Sequence, residues 1–245
     1  MSFNFVVCNV DKKSGLKTHF FYSFFYMSIT RLSNFNYKLH LKCSANETKV
    51  PLLLKSILHM IPNLGGTIIK SDTECCINFS AQSVQHLTDF KDKLDYNSVI
   101  SIIYCLNKQQ IFLSKKHNHG LFYLDFKDII VIDSSIFICI NPEVVKNINC
   151  YGEFSFCSPF SRNSKTAFFS PEILTLDKIP SVADCKCFYY SLGALAIYCL
   201  FNKNIKGLDS CEINKLLLPI YQTKLYWMLL KTIDSNCERR SLLYI

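Results

Sequence analysis

The chain of 245 residues is long enough to bury a full hydrophobic core, either as one large domain or as two lobes. Apolar residues make up 49% of it and aromatic residues 14%, which excludes an intrinsically disordered protein. The formal charge of +8 is uneven, because residues 1–60 hold eight Lys/Arg against two Asp/Glu, a net of +6. Such a field favours acidic partners such as nucleic acid, anionic lipid or an acidic protein, although a solvated basic face is the simpler interpretation.

Thirteen cysteines raise the question of disulfide bonds. The start of the chain lacks the charged segment and long apolar core of a signal peptide, so we expect an intracellular protein, cytoplasmic or nuclear, with reduced thiols. Cys185 and Cys187 have no second cysteine pair at zinc spacing, and His117 and His119 lie in a Lys/Asn loop, so no zinc site is predicted. No apolar run reaches the ~18 residues that span a bilayer, which predicts no membrane span.

The first 80 residues predict short strands with one helix among them. Apolar residues at helical spacing predict this helix over Val50–Met60, with Pro51 in its first turn and Pro62-Asn63 after its end. Aromatic and β-branched runs between turn residues predict the strands. These runs are Phe3–Val10, His19–Ile29, Asn36–Cys43, Thr67–Lys70 and Cys75–Phe79.

From about Ser83 onward the pattern predicts mostly helices. A hairpin is predicted at Asp128–Asp133 and Ile136–Ile140, and residues 141–170 are predicted to be irregular. The predicted helices are Ser83–Leu94, Tyr96–Leu113, Phe188–Phe201, Glu212–Leu217 and Leu225–Thr232. Strands first and helices later is an α+β order, which predicts a division into residues 1–82 and 83–245.

Five short motifs resemble those of the protein kinases, in the same order along the chain. They are Ile61-Pro62-Asn63-Leu64, Leu87-Thr88-Asp89-Phe90, Phe168-Phe169-Ser170-Pro171-Glu172, Tyr190-Ser191-Leu192-Gly193, and Leu225–Thr232 with Glu238-Arg239. The third is similar to the end of the kinase activation segment, and the fourth to the start of the central buried helix. The resemblance covers roughly residues 60–245. It implies a two-lobed protein kinase-like fold, with a small strand-rich N-lobe carrying one main helix and a larger, mostly helical C-lobe. It also implies a buried ion pair between Glu172 and Arg239.

Phosphoryl transfer in that family needs a glycine-rich loop, a strand lysine held by a helical Glu, a catalytic Asp, and metal-binding Asn and Asp residues. Only Gly15 precedes residue 65, so the glycine-rich loop is missing. Lys42 is the best candidate for the nucleotide-binding lysine, but the helix Val50–Met60 contains no Asp or Glu to hold it. The catalytic-loop position is occupied by Phe122-Tyr123-Leu124.

A few polar residues near these positions remain as candidates. Asp125 and Asp128 are the candidate catalytic residues, although caps of a loop are the simpler interpretation. Asn141 and Glu143 are the candidate metal ligands, although Asn is a poor replacement for a carboxylate that faces Mg²⁺. Phe188 stands where the resemblance implies an Asp that holds the catalytic loop.

The missing groups imply a pseudokinase without a bound cofactor, for which we expect no ATP turnover and no Mg²⁺-dependent thermal shift; whether a nucleotide still occupies the cleft stays open. We therefore expect a catalytically inactive, kinase-like binding or scaffold protein with a protein partner. Two alternatives stay open: a divergent, active Ser/Thr kinase that uses Lys42, Asp125 or Asp128, and Glu143, and a basic module that binds nucleic acid or a membrane surface. The sequence as a whole, kinase-like but without the catalytic residues, resembles kinase-related proteins of large DNA viruses. This resemblance implies action in an infected cell or carriage in the virus particle.

Overall fold

A computed structural model describes residues 19–20, 27–42, 48–70, 74–157 and 168–243 of the protein. The fold is mixed α+β, with a strand-rich N-terminal part followed by a mostly helical C-terminal part. The α+β order that the sequence predicts is therefore confirmed. The predicted strand Phe3–Val10 and much of the run His19–Ile29 lie outside the described residues.

Within the described residues, the N-terminal part contains a five-stranded antiparallel sheet with the strand order β1-β2-β3-β5-β4. The strands are β1 (His19–Phe20), β2 (Met27–Arg31), β3 (Asn36–Lys42), β4 (Thr67–Lys70) and β5 (Glu74–Ser80). Helix α1 (Lys49–Met60) connects β3 to β4 and packs on β5. Its buried face, with Leu53, Leu54 and Ile57, is the apolar stripe that predicted the helix.

The C-terminal part contains the remaining helices of the described residues. They are α2 (Leu87–Phe90), α3 (Tyr96–His117), α4 (Pro171–Leu174), α5 (Cys187–Phe201), α6 (Ser210–Leu217) and α7 (Lys224–Thr232). Helix α5 is apolar around most of its circumference because it packs between α3 and α7. Nowhere in the described ranges is a helix both long enough and apolar enough to cross a membrane.

Three small sheets join these helices. They consist of β6 (Val84–His86) with β8 (Ile129–Ile132) and β9 (Ile136–Cys139), β7 (His119–Leu121) with β10 (Val145–Asn147), and β11 (Glu153–Phe156) with β12 (Ser181–Asp184). The hairpin β8–β9 is confirmed. Ile132 pairs with Ile136, so the turn consists of Asp133, Ser134 and Ser135, and the first two have positive φ.

The prediction of one helix over Ser83–Leu94 is wrong for its first residues. Val84–His86 forms strand β6 because it pairs with β8, and this non-local pairing overrides the local pattern. The same connection is fixed by Asp133, whose Oδ1 accepts hydrogen bonds from the backbone N–H groups of Gln82 (2.7 Å) and Ser83 (2.9 Å). The chain between the two parts is therefore tied to the β8–β9 turn.

A buried polar network links the N-terminal helix to the C-terminal part. The Gln109 Nε2 of α3 donates to Ser56 Oγ of α1 (3.0 Å) and to the backbone oxygen of Cys139 in β9 (2.9 Å). The Gln109 Oε1 accepts from the Cys139 N–H (3.0 Å). All three residues are buried, so the network fixes α1, α3 and the end of β9 relative to one another.

Candidate functional site at the open end of the β8–β9 hairpin

Asp128 and Asn141 meet at the open end of the β8–β9 hairpin. Asp128 immediately precedes β8, and Asn141 follows β9 by one residue, so the antiparallel pairing brings both to the same end of the hairpin. The Ile140 N–H donates to the Asp128 backbone oxygen (2.9 Å), which extends the ladder to this point. The Asn141 Nδ2 donates to Asp128 Oδ2 (2.7 Å). Two of the candidate site residues are therefore direct partners of each other.

The Asp128 carboxyl is buried, with 8% of the residue exposed. Burial raises its pKa to about 6, and the nearby Asp125 charge acts in the same direction. The hydrogen bond from Asn141 and the charge of Lys127 oppose the rise only in part. Asp128 is therefore a carboxyl group whose protonation changes close to neutral pH.

Asp125 caps the short 3₁₀ turn Phe126–Asp128. Its Oδ1 accepts from the Lys127 N–H (3.2 Å), and its other oxygen lies 3.5 Å from Lys127 Nζ. The Lys127 side chain is 66% exposed, so this ion pair contributes little to stability. The arrangement is that of the loop cap that the sequence suggested as the simpler interpretation.

Both polar atoms of the Asn141 amide, the first candidate metal ligand, are engaged in hydrogen bonds. The Asn141 Oδ1 accepts from the Glu143 N–H (2.9 Å), which caps the 3₁₀ turn Pro142–Val144. The Glu143 side chain itself is exposed. Within the described ranges, no three or more His, Cys, Asp or Glu side chains form a group able to hold a metal ion. A Mg²⁺ ion bound as in an active kinase does not fit this set, because the amide of Asn141 is directed at the Asp128 carboxylate.

Lys42 ends strand β3, and its side chain lies outside what the structure describes. Helix α1 follows it after residues 43–47. The helix contains no Asp or Glu, so it offers no carboxylate to any lysine of the sheet. The role of Lys42 in nucleotide binding stays a prediction.

The segment at the catalytic-loop position is an aromatic cluster. The Tyr123 ring lies 4.3 Å from the Phe169 ring and 4.7 Å from the Phe122 ring, measured between centroids. Phe156 meets the Phe122 ring edge to face at 5.3 Å. Burial raises the pKa of Tyr123, and the charges of Asp128 and Asp125 add to the rise. This part of the site is lined by aromatic rings, and the buried Lys146 places its Nζ 5.8 Å from the centroid of the Phe122 ring.

Helix α5 holds the same segment through Ser191 and Cys187. The Ser191 Oγ accepts from the Leu124 N–H (2.8 Å), and the Cys187 Sγ lies 3.2 Å from the Phe122 backbone oxygen. Ser191 and Cys187 are fully buried, as is Phe188. The sequence analysis noted Phe188 in place of an Asp and missed these two contacts. Ser191 stands in the Tyr190-Ser191-Leu192-Gly193 motif, so the available signal was a polar residue inside an otherwise apolar helix.

Glu172 forms its ion pair with Arg240, and the prediction of Arg239 as its partner is wrong. The Arg240 Nη1 and Nη2 donate to the two carboxylate oxygens, the second at 2.8 Å. The Arg240 Nε also donates to the Asp234 backbone oxygen (2.6 Å). The 3₁₀ turn Cys237–Arg239 directs the Arg239 side chain to solvent, and the chain leaving that turn directs the next side chain inward.

Comparison with known proteins identifies no family for this chain. No protein-family model matches the sequence, and no curated protein matches it. The contacts of Asp128, Asn141, Glu172 and Arg240 are therefore the basis on which a function can be inferred.

Proposed function

We propose that the protein is a catalytically inactive, kinase-like protein that acts by binding a protein partner. The observation that carries this proposal is the hydrogen bond between Asp128 and Asn141. In an active kinase-like site, side chains at these positions would face Mg²⁺ and the nucleotide phosphates. Here each satisfies the other, and the Asn141 oxygen accepts a backbone amide.

Three structural features support the kinase-like part of the proposal. The sheet has a single helix inserted between β3 and β4, which agrees with a strand-rich lobe carrying one main helix. The Glu of the Ser-Pro-Glu motif makes an ion pair with a late Arg, as the resemblance implies, although the Arg is residue 240 and only its side chain is fully buried. The central apolar helix α5 contacts the backbone of the loop at Phe122–Leu124, as the central helix of the family does.

The inactive part of the proposal follows from the groups that fill the site. Each catalytic group of a phosphotransferase contributes orders of magnitude in rate by positioning or by charge stabilisation. Phe122, Tyr123 and Leu124 supply neither. A kinase-like fold around a site without catalytic groups is suited to binding a partner. The same proposal places the protein inside a cell, as the sequence predicts, and the viral resemblance implies an infected host cell.

One observation favours an active enzyme as the second candidate. The pKa of Asp128, raised to about 6, lies in the range that suits a general base at neutral pH. Asp128 would then take a proton from a substrate hydroxyl. Its hydrogen bond to Asn141 opposes this role, because it occupies one of the two carboxylate oxygens.

Phosphotransfer from labelled ATP with Mg²⁺ or Mn²⁺ to generic protein substrates separates the two candidates. We expect no incorporation above that of a heat-denatured sample, and no rise in melting temperature with millimolar Mg²⁺·ATP. Asp128→Asn is the site variant, and Asp92→Asn, which changes an exposed carboxylate in the turn after α2, is its matched control. Phosphotransfer that disappears in Asp128→Asn and persists in Asp92→Asn would establish the enzyme instead.

A further inference from the structure

Helices α1 and α3 lie against each other and share a basic character. Neither helix contains an Asp or Glu residue, although together they are 34 residues long (12 in α1 and 22 in α3). Their basic side chains are Lys49, Lys55, His59, Lys108, Lys115, Lys116 and His117. The α1–α3 surface therefore carries positive charge with no compensating carboxylate from either helix.

Two adjoining concavities run along this surface, and we call them together the α1–α3 groove. Both are lined by Tyr104, Asn107 and Lys108 of α3. The first, about 410 Å³, extends from there to aliphatic side chains of other elements, such as Met60 and Leu242. The second, about 370 Å³, is lined by residues of α1 and α3 that include His59, Ile111, Phe112, Lys115 and Lys116. Neither lining contains an Asp or Glu.

Large apolar side chains are exposed along the groove. Tyr104 is 65% exposed and Ile111 37%. The two residues are seven positions apart, which is about two helical turns, so their side chains stand on one face of α3, about 10 Å apart along its axis. Clustered exposed apolar groups rimmed by charge are typical of a surface that contacts another macromolecule.

The basic groups gather at the end of the groove where α1 meets the last turns of α3. The His59 ring stacks on the Phe112 ring at 4.5 Å between centroids. Burial lowers the pKa of His117, and the charge of Lys55 on α1 adds to the fall, so the two helices present positive groups close to each other. A negatively charged ligand would be attracted to this end, and an apolar one to the end near Met60.

We propose that the α1–α3 groove is the docking site for an acidic, amphipathic segment of a partner protein. Its aliphatic or aromatic side chains enter the two concavities on either side of Tyr104, and its Asp and Glu residues face Lys108, Lys115 and Lys116. Tyr is among the residue types that most often dominate the energy of such interfaces, and the rim lysines steer an acidic partner by charge complementarity.

The apolar lining favours a peptide over a nucleic acid. A single-stranded nucleic acid binds through a continuous track of positive charge with aromatic rings on which bases stack. In the concavity at Met60, Tyr104 and Lys108 are the aromatic and the basic residue of the lining, and half of the lining is aliphatic, which offers neither phosphate contacts nor stacking. The groove involves none of the residues Asp125, Asp128 or Asn141, so this inference is independent of whether the protein transfers phosphate.

Selection from a displayed library of random peptides tests the proposal. The peptides are about 12 residues long, enough for a helix of about 18 Å that covers both concavities. The target is the full-length protein, and the pool is counter-selected on a Tyr104→Ala/Lys108→Glu variant. We expect the recovered peptides to be enriched in Asp and Glu together with Leu, Ile, Phe or Trp. Their affinity is then measured by fluorescence polarisation at low and physiological salt.

The variants of that measurement have matched controls. We expect Tyr104→Ala, and separately Lys115→Glu with Lys116→Glu, to weaken binding at least tenfold. Tyr151→Ala, at a residue that is 85% exposed, and Lys203→Glu, in the exposed loop after α5, should leave it unchanged. All the substituted side chains except Lys108 are exposed, and circular dichroism melting confirms that each variant is folded.

Four results would each overturn the proposal. They are recovery of no binding peptide, recovery of peptides without acidic enrichment, equal affinity for the Tyr104→Ala variant, and a wild-type dimer by light scattering that Tyr104→Ala makes monomeric. The last would assign the groove to a second copy of the chain. Binding of a uridine 20-mer or of phosphatidylserine vesicles that the groove variants weaken, without any acidic peptide, would assign it to another class of ligand.

Discussion

Removing the Glu172 carboxylate is predicted to destabilise the protein far more than removing an exposed charge nearby. The Arg240 side chain is completely buried, and Glu172→Ala would leave its guanidinium without the bidentate partner. Breaking a buried ion pair by removing one partner costs about 3–5 kcal/mol of folding free energy. The Glu172 side chain is 24% exposed, and Arg240 keeps the Asp234 and Ser235 backbone oxygens as acceptors. We therefore expect the low end, about 3 kcal/mol.

Urea unfolding followed by circular dichroism measures this loss, and thermal unfolding gives a second reading. About 3 kcal/mol corresponds to a fall in melting temperature of roughly 6–12 °C for a chain of this size. Arg240→Ala should destabilise by a similar amount, because it also removes the contact of the guanidinium with the Tyr190 ring at 5.0 Å. Arg239→Ala is the matched control and should stay within about 0.5 kcal/mol of the wild type.

Arg239 and Arg240 are adjacent, so the two alanine variants distinguish which of them pairs with Glu172. If Arg239→Ala destabilised the protein as much as Arg240→Ala, Glu172 would be paired as the kinase resemblance implied and the described contact would be wrong. If Glu172→Ala cost less than about 0.5 kcal/mol, the pair would behave as a solvated surface ion pair, and the burial argument would fail.

Three further variants test the candidate site and the contacts around it. In the folded protein the pKa of Asp128 is about 6, above its ordinary value of 3.8, so the free energy of unfolding falls as pH rises between these values. In urea unfolding at pH near 7.5, Asp128→Asn should therefore be more stable than the wild type by about 1–3 kcal/mol. Near pH 4 the same substitution should gain nothing. Gln109→Leu leaves the Cys139 N–H and C=O without partners and should cost about 2–4 kcal/mol in the same assay, with Lys115→Ala as the exposed control on α3; a loss under 1 kcal/mol would contradict the network. Asp133→Ala removes the acceptor for two N–H groups at a residue with positive φ and should lower stability by about 1–2 kcal/mol, whereas Asp133→Asn, which keeps an oxygen and tolerates this conformation, should stay near the wild type.

Elements whose signal is local could be predicted from the sequence. Helix α1 was predicted from Val50 to Met60 and spans Lys49–Met60, because its apolar spacing reflects the single face that it buries. The β8–β9 turn at Asp133 was predicted for a similar reason, since a turn depends on the residues within it.

Elements that depend on distant partners were missed. Residues 141–170 were predicted to be irregular, yet Val145–Asn147 pairs with β7 and Glu153–Phe156 pairs with β12, both through partners more than 20 residues away. Short strands of this kind carry too few residues to show a period of two.

The sequence selected the candidate residues of the site but could not give their contacts. Asp125, Asp128, Asn141 and Glu143 were all selected, but the sequence offered no way to see that Asn141 donates to Asp128. The choice between Arg239 and Arg240 depends on the direction in which a 3₁₀ turn ends, which a motif does not encode.

Carbon-13 NMR of the Asp128 carboxyl, together with the side-chain amide signal of Asn141, tests most directly whether this site holds a magnesium–nucleotide complex. The signals are followed in the full-length protein while Mg²⁺·ATP is raised to millimolar concentration, with ATP alone as the control. We predict that both signals stay unchanged and that the Asp128 signal continues to titrate with a pKa of about 6. A saturable shift of both signals that requires Mg²⁺ would contradict the inactive assignment and place a working metal site at the end of the β8–β9 hairpin.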